Sequence, residues 1–339
     1  MKAMILAAGY GTRLRPVTYT LPKPMVPVCN RPLIAYAVEG LRDAGATEVI
    51  VNLHHLPDAI ERFLRDRYGL QLRVAFSLEP EILGTGGGVR KVRPLLERED
   101  DFFLVNGDTI QFPQWQSLRD ARRRADALAA LTVRHPPEGD KFTAVWVDHG
   151  WVTGFGTGRG EPLMFSGSHC ISSRIFRYLP DRDFSGIVDE TYQPLLAGGR
   201  EKIAAVVDDG LWFDIGTPQR YMSASRGILE QMAGGEIAPP EGSSARGTSL
   251  VHDNARVSGT IETSSVGDGS VIEGNLRDSF VWDGCRIAGG ATIESCIVSH
   301  GAEISRAHRY SNAIICRDDP AIPRDAGCTF EDGLAIAGI

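Results

Sequence analysis

The segment LAAGYGTRLRP, residues 6–16, joins small residues to fixed positive charge in a way that suits an anion. Ala7, Ala8, Gly9 and Gly11 let backbone N–H groups approach a ligand closely, and Arg13 adds a permanently charged planar donor. Lys2, Arg13, Arg15, Lys23 and Arg31 all precede the first acidic residue, Glu39, in a chain whose net charge is −7. Phosphate is the ligand this asymmetry predicts. Leu14 stands where the dinucleotide fingerprint GxGxxG requires glycine or alanine, and the P-loop pattern GxxxxGK[ST] is missing.

Four further segments carry chemistry. Lys23 lies between Pro22 and Pro24, which predicts a stiff, extended stretch holding a preplaced charge. EILGTGGGV, residues 81–89, reads as a turn whose Gly84, Thr85 and Gly86 are small enough to admit a flat base against the backbone. LVNGDT, residues 104–109, sets Asn106, Gly107 and Asp108 at a strand's carboxyl end, where open α/β sheets bind ligands. LWFDIGTPQRY, residues 211–221, offers Asp214 after Trp212 and Phe213, whose packing would fix it. Together Asp108 and Asp214 suit Mg²⁺, which takes one or two carboxylates plus phosphate oxygens and water. Either alone reads more readily as a cap or turn residue.

These residues need a scaffold, and the apolar pattern supplies one. Lys2–Leu6, Glu48–Asn52, Leu72–Ser77, Phe102–Asn106 and Ala129–Val133 read as strands. They alternate with helical stretches at Pro32–Ala44, Pro57–Arg67, Gln114–Ala125 and Gln219–Met232. An α/β fold with a mostly parallel sheet follows. After a Gly/Pro/Ser-rich linker at 234–247 the rhythm changes: Val251 and Val257, Val266 and Ile272, Val281, Ile287 and Ile293, then Val298 and Ile304 recur at intervals of six. That repeat predicts a parallel β-helix, with a plain antiparallel β-domain as the alternative. Its few coils bury little area alone, so it should dock on the first domain or on another copy, and a homo-oligomer is expected.

Composition narrows the class. The acidic balance argues against a nucleic-acid or membrane-surface partner. No apolar run reaches the roughly 18 residues of a membrane span, and the short N-terminal run predicts no signal peptide, hence a cytoplasmic protein. The 6 cysteines form no CxxC pair and read as buried thiols. His54-His55 reads as a turn-lining pair, without a third ligand nearby.

Taken in order, LAAGYGTRLRP, PKPM, GTGGG, VNGD and WFDIGTP resemble the signature of the sugar-1-phosphate nucleotidyltransferases, and of the mannose-1-phosphate guanylyltransferase type in particular. The resemblance covers residues 1 to about 232, and many members carry a C-terminal left-handed β-helix. It implies a Rossmann-like nucleotidyltransferase domain over 1–233, the linker 234–247, and a short left-handed parallel β-helix over 248–339. It also implies an enzyme in which a sugar 1-phosphate attacks the α-phosphorus of a nucleoside triphosphate, with Mg²⁺ as cofactor. GTP with mannose 1-phosphate is favoured over UTP with an amino-sugar, muramate-type or glucose 1-phosphate. A catalytically silent regulatory paralogue that binds nucleotide sugar is the alternative of another class.

Residue by residue, the resemblance assigns Leu6, Ala7, Ala8, Gly9, Gly11, Thr12, Arg13, Gly84, Thr85 and Gly86 to the nucleotide. Glu79 joins them, as a carboxylate suited to the N–H donors of guanine or as a solvent-facing residue. Arg13, Lys23 and Asp108 are implied as catalytic, Asp108 and Asp214 as metal ligands, and Asn106, Gly107, Gly167 and Glu190 as sugar-phosphate contacts, with a helix-surface role also open for Glu190. One departure stands out. Residues 154–169 hold Glu161-Pro162 but no lysine where many members place one on the sugar phosphate, so Arg159 or Lys141 would substitute. The FSG segment at 165–167 leans toward muramate-type uridylyltransferases.

Overall fold

The computed structural model describes residues 1–137, 139, 142–305 and 308–339. They form two compact units: one of Met1–Gly9 with Ile34–Trp212, the other of Tyr10–Leu33 with Phe213–Ile339. This division cuts across the boundary read from sequence at residue 233.

The first unit is built on nine strands: β1 (Lys2–Leu6), β2 (Glu48–Leu53), β3 (Arg73–Leu78), β4 (Asp101–Asn106), β5 (Ala129–Arg134), β6 (Ala144–Asp148), β7 (Trp151–Phe155), β8 (Glu161–Ser172) and β9 (Ile203–Val207). Their order is β3-β2-β1-β4-β8-β5-β9-β7-β6. The first four run parallel, as do β5 and β9. The long strand β8 runs antiparallel between β4 and β5, and β6 and β7 close the far edge as an antiparallel pair. Continuous apolar runs such as Ala3–Ile5 and Val49–Val51 are fully buried, as strands covered on both faces require. The helices α1 (Leu33–Asp43), α2 (Pro57–Tyr68), α3 (Gly84–Lys91) and α4 (Trp115–Arg124) follow β-strand or turn segments in the expected alternation. In register, Leu6 pairs with both Asn52 and Asn106, and Asn52 with Ser77. The carboxyl ends of four parallel strands therefore share one edge.

In the second unit, three short 3₁₀ turns and a hairpin of Pro27–Val28 with Arg31–Pro32 pack with α5 (Pro218–Ala233) and the repeat coils. The Tyr221 hydroxyl donates to Pro27 O at 2.7 Å and accepts from the Trp282 indole at 2.9 Å. Asn30 donates to Val266 O at 2.9 Å.

The coils are three-sided. Val251, Val266, Val281, Val298 and Ile315 stack in one sheet. Val257, Ile272, Ile287 and Ile304 stack in a second, and Ile261, Leu276, Ile293 and Tyr310 in a third. Both ends of the first sheet are antiparallel: Ser243–Arg246 pairs with Ser249–His252, and Leu334–Gly338 pairs with Ala313–Arg317. The end of the expected linker is thus a strand.

Candidate active site

At the shared edge of the first unit, one asparagine ties three segments together. The Ala7 amide donates to Asn52 Oδ1 at 2.7 Å, and Asn52 Nδ2 donates to Glu79 Oε1 at 2.8 Å. The other carboxylate oxygen of Glu79 accepts from Leu83 N at 3.0 Å, and its carbonyl meets the His54 ring at 2.7 Å. Glu79 is only 1% exposed. Both oxygens accept hydrogen bonds within the protein and brace the loop, where a base-edge or a solvent-facing carboxylate was expected. Gly88 makes room for this, since a β-carbon there would lie 3.1 Å from Glu79 Oε1 and 3.2 Å from Asn52 Nδ2. Sequence reasoning missed Asn52, because a lone asparagine at a strand end looks like any turn residue.

The glycines at 84–88 are not an open turn but the start of α3. A β-carbon at Gly84 would sit 2.6 Å from Ser185 O, one at Gly86 2.7 Å from Ser185 Oγ, and one at Gly87 2.1 Å from Asp183 O. Gly86 N donates to Ser185 O at 2.8 Å, and Thr85 Oγ1 accepts from Ile187 N at 2.9 Å. Their smallness serves close packing against the 183–187 segment, where the sequence suggested room for a base. Glu190 belongs to the same packing: it accepts from Gly186 N at 3.1 Å and pairs with Arg182. Its carboxylate thus has an internal task, besides the sugar contact expected of it.

Asn106, Gly107 and Gly167 come together. Gly107 N donates to Leu6 O at 2.9 Å, and a β-carbon at Gly107 would meet the same oxygen at 2.7 Å. Gly167 sits at φ +106° in the bulge of β8, and a β-carbon there would lie 3.2 Å from Asn106 Cβ and Nδ2. Asp108 is half-buried in the turn that follows β4. Behind the bulge, His169 is fully buried with Nδ1 at 3.2 Å from the Tyr192 hydroxyl, and burial lowers its pKa to about 3.

In the second unit, Gly11 takes φ +64°, and a β-carbon there would meet Lys23 Cβ at 2.9 Å and Thr18 Cγ2 at 3.0 Å. Thr18 Oγ1 donates to Gly11 O at 2.9 Å. Lys23 is 8% exposed and opens a 3₁₀ turn, Lys23–Met25, where an extended segment was predicted. Thr12 and Arg13 occupy another such turn. A β-carbon at Gly216 would lie 3.1 Å from Arg13 Nη2 and 2.9 Å from Asp214 Oδ1, so this glycine leaves space for both charges. Asp214 pairs with Arg220, whose backbone N–H is capped by Thr217 at 3.3 Å. Phe213 packs against Gly227 of α5, as expected of a residue that fixes Asp214. Asp108 and Asp214 belong to different units.

Gly9, at the end of the first unit's N-terminal segment, differs from these. Its φ lies outside the left-handed region, and among the described residues no atom comes within 4 Å of where its β-carbon would be. Neither packing nor backbone geometry asks for glycine here. Arg159 has an exposed side chain with its backbone held by Thr153, and Lys141 lies outside the described residues. Among the described residues no group of three His, Cys, Asp or Glu could hold a metal by themselves, and no helix is long and apolar enough to cross a membrane. Five of the cysteines are buried and all are free.

Comparison with known proteins accounts for both halves of the chain. Residues 2–231 match the nucleotidyl transferase family, and residues 246–328 match the GlmU-like C-terminal hexapeptide. The chain is 30% identical over 329 residues to a protein of Oryza sativa subsp. japonica named probable mannose-1-phosphate guanylyltransferase 3, covering 93% of this chain and 86% of that one. It is 27% identical over 339 residues to a UTP–glucose-1-phosphate uridylyltransferase of Synechocystis sp., covering 93% and 87%. The crystal structure of HddC from Yersinia pseudotuberculosis complexed with GMP-PN superposes with a TM-score of 0.57 at 25% identity, covering 67% of this chain and 99% of that one. With its glycine-rich N-terminal loop, its α/β sheet and its hexapeptide coils all accounted for, the chain belongs to the nucleotidyl transferase family.

Proposed function

We propose that this protein transfers GMP from GTP to mannose 1-phosphate, releasing pyrophosphate and forming a nucleotide sugar. Gly9 carries the reading of a nucleotide loop. At Gly9 a side chain would meet open space and the backbone is ordinary, and in the middle of the LAAGYGTRLRP segment a ligand that comes close to the backbone accounts for the glycine. Relatives of the same two-part organisation named for mannose 1-phosphate guanylyl transfer support the choice of substrates.

In this reaction an already ionised phosphate oxygen of the sugar 1-phosphate forms the new bond to the α-phosphorus. The bond from that phosphorus to the bridging oxygen breaks, and pyrophosphate carries the electron pair away. No strong base is required, so the protein's task is positioning and charge neutralisation. Arg13 and Lys23 supply fixed positive charge, and the brace of Asn52 and Glu79 sets the backbone of the loop. Asp108 in the first unit and Asp214 in the second are each a hard oxygen donor of the kind Mg²⁺ takes beside water and phosphate. When bound, Mg²⁺ would neutralise phosphate charge. Asp214 is paired with Arg220, so holding a cation there would require that guanidinium to give way.

The test is pyrophosphate release with Mg²⁺ across GTP, UTP, dTTP, ATP and CTP against mannose, glucose, N-acetylglucosamine and N-acetylmuramate 1-phosphates. GTP with mannose 1-phosphate should lead. A lead for UTP with glucose or an amino sugar would replace these substrates, and no turnover from folded protein that still binds a nucleotide sugar would favour a regulatory protein.

A further inference from the structure

An arginine partly withdrawn from water ordinarily brings a carboxylate with it. In the first unit Arg42, Arg90, Arg119, Arg122 and Arg174 are partly or fully buried, and each pairs with an aspartate. Arg134, the last residue of β5, is half-buried too, yet among the described residues it forms no ion pair. Its guanidinium is nonetheless fixed from behind. Nη1 donates to Gly210 O at 2.9 Å and Nε to His135 O at 3.4 Å, and the group lies 5.5 Å from the centre of the Trp212 ring. The Trp212 indole is in turn held by Ser166 O at 2.8 Å. The acidic neighbours are committed elsewhere: Asp208 accepts from Gly210 N at 2.9 Å and Gln114 N at 3.2 Å, and Asp209 from the His135 backbone at 2.9 Å while meeting its ring at 2.7 Å. The Nη2 end of Arg134 is left without an acceptor among the described residues.

Arg134 shares a small cleft with Gln111, Thr132, Ser166, Asp208 and Trp212. Gln111 is only 8% exposed, and its Oε1 has no partner among the described residues, while Nε2 donates to Thr109 at 3.1 Å. The same Nε2 lies 3.3 Å from where Gly167 would carry a β-carbon, a point that Asn106 Nδ2 approaches to 3.2 Å. The cleft therefore borders the β8 bulge, where contacts to a sugar phosphate are expected and where residues 154–169 hold no lysine to make one.

We propose that Arg134 binds the phosphate of the sugar 1-phosphate, in the role that the missing lysine leaves open. The inference rests on the reading of the protein as a sugar-1-phosphate transferase. A guanidinium already held by a carbonyl and an indole loses little freedom when it meets phosphate, and its free end can give two N–H bonds to one phosphate group. Arg159 lacks such support, since only its backbone is held.

Steady-state kinetics of the full chain test this, with whichever nucleotide and sugar lead in pyrophosphate release. Arg134→Ala should raise the KM for the sugar 1-phosphate about tenfold to a hundredfold, the effect of losing a charge-assisted hydrogen bond, while the KM for nucleoside triphosphate stays within about twofold. Guanidinium ion at low millimolar concentration should restore part of the loss. The melting temperature should hold, because no ion pair is broken; should the alanine variant unfold, Arg134→Lys takes its place with a rise of at least about threefold, since one ammonium does not reproduce the planar fork. The rise should be alike for mannose, glucose and N-acetylglucosamine 1-phosphates. A rise confined to N-acetylmuramate 1-phosphate would assign Arg134 to that sugar's carboxylate and overturn the proposal. An unchanged KM for the sugar, an equal rise for both substrates, or a larger rise in Arg159→Ala would overturn it as well. Should the wild type turn over no pair, the transferase reading fails by itself, and equilibrium dialysis of mannose 1-phosphate decides on Arg134: binding that Arg134→Ala weakens at least about tenfold supports the assignment, and wild-type binding that is absent or unaffected by the substitution overturns it.

Discussion

The Ala7 amide donates to Asn52 Oδ1 at 2.7 Å, and through the other end of that side chain the glycine-rich loop is fastened to Glu79. Replacing Glu79 by Leu leaves two buried donors, Asn52 Nδ2 and Leu83 N, without their acceptor. We expect a loss of about 2 kcal/mol in urea unfolding. The KM for nucleoside triphosphate should rise while the ratio of GTP to UTP use stays the same. A shifted ratio would show that the carboxylate reads the base after all.

Gly9→Ala should separate folding from binding. Among the described residues no atom opposes the added methyl, so the melting temperature should hold. Turnover should fall about a hundredfold if a phosphate must approach that backbone, the scale of loss that a displacement near 1 Å produces. Full activity in a folded variant would remove the observation on which the nucleotide loop rests.

Asp101, 1% exposed, is surrounded by three guanidinium groups of α4: Arg122 at 2.7 Å, Arg123 at 2.5 Å and Arg119 at 3.4 Å. Burial pushes its carboxyl up, but the hydrogen bonds from Arg123 and Arg122 and their charge outweigh this and hold it below the ordinary value. Its stabilisation is therefore present above the unfolded pKa and lost as the pH falls through the lower folded one. Asp101→Asn should cost about 3 kcal/mol at neutral pH, the usual result of stripping one partner from a buried pair. The variant should also show a flatter acid limb below about pH 4 in denaturant titrations, because the group that titrates there is gone.

The pKa of His169 is lowered as well, but by burial alone. Burial lowers its pKa to about 3, so it is neutral when folded and takes a proton near pH 6.5 when unfolded. Stability should therefore fall as the pH drops from about 6.5 toward 3, by about 2 kcal/mol at pH 5. Comparing urea midpoints at pH 7 and pH 5 checks this. His169→Gln should lower stability at both and remove most of the difference between them.

The sequence revealed what repeats locally and concealed what depends on distant neighbours. The six-residue steps from Val251 to Val257, Val266 to Ile272, Val281 to Ile287 and Val298 to Ile304 are the leg from the first sheet to the second in every coil. The next leg is four residues in early coils, Val257 to Ile261 and Ile272 to Leu276, and six later, Ile287 to Ile293 and Ile304 to Tyr310. That change is why the repeat looked irregular. Strand β1 and its glycine-rich continuation were legible because the apolar run and the clustered cations are contiguous. The helix at Gly84 was not, since the reason for its glycines is the backbone of Asp183 and Ser185, a hundred residues on. Strand β8 was hidden by Ser166-Gly167-Ser168, whose bulge interrupts the alternation that marks a strand.

A stack of parallel coils is also a template, because each rung offers its unpaired amides and carbonyls to a next rung of the same direction. Here the last parallel rung at each end of the first sheet is covered by an antiparallel strand: Ser243–Arg246 covers Ser249–His252, and Leu334–Gly338 covers Ala313–Arg317 and is itself paired with Thr329–Glu331. The backbone edges of those two end rungs are therefore already paired within the chain. An architecture that could in principle repeat without end is thus stopped, on this one face, by strands from the segments that flank the coils.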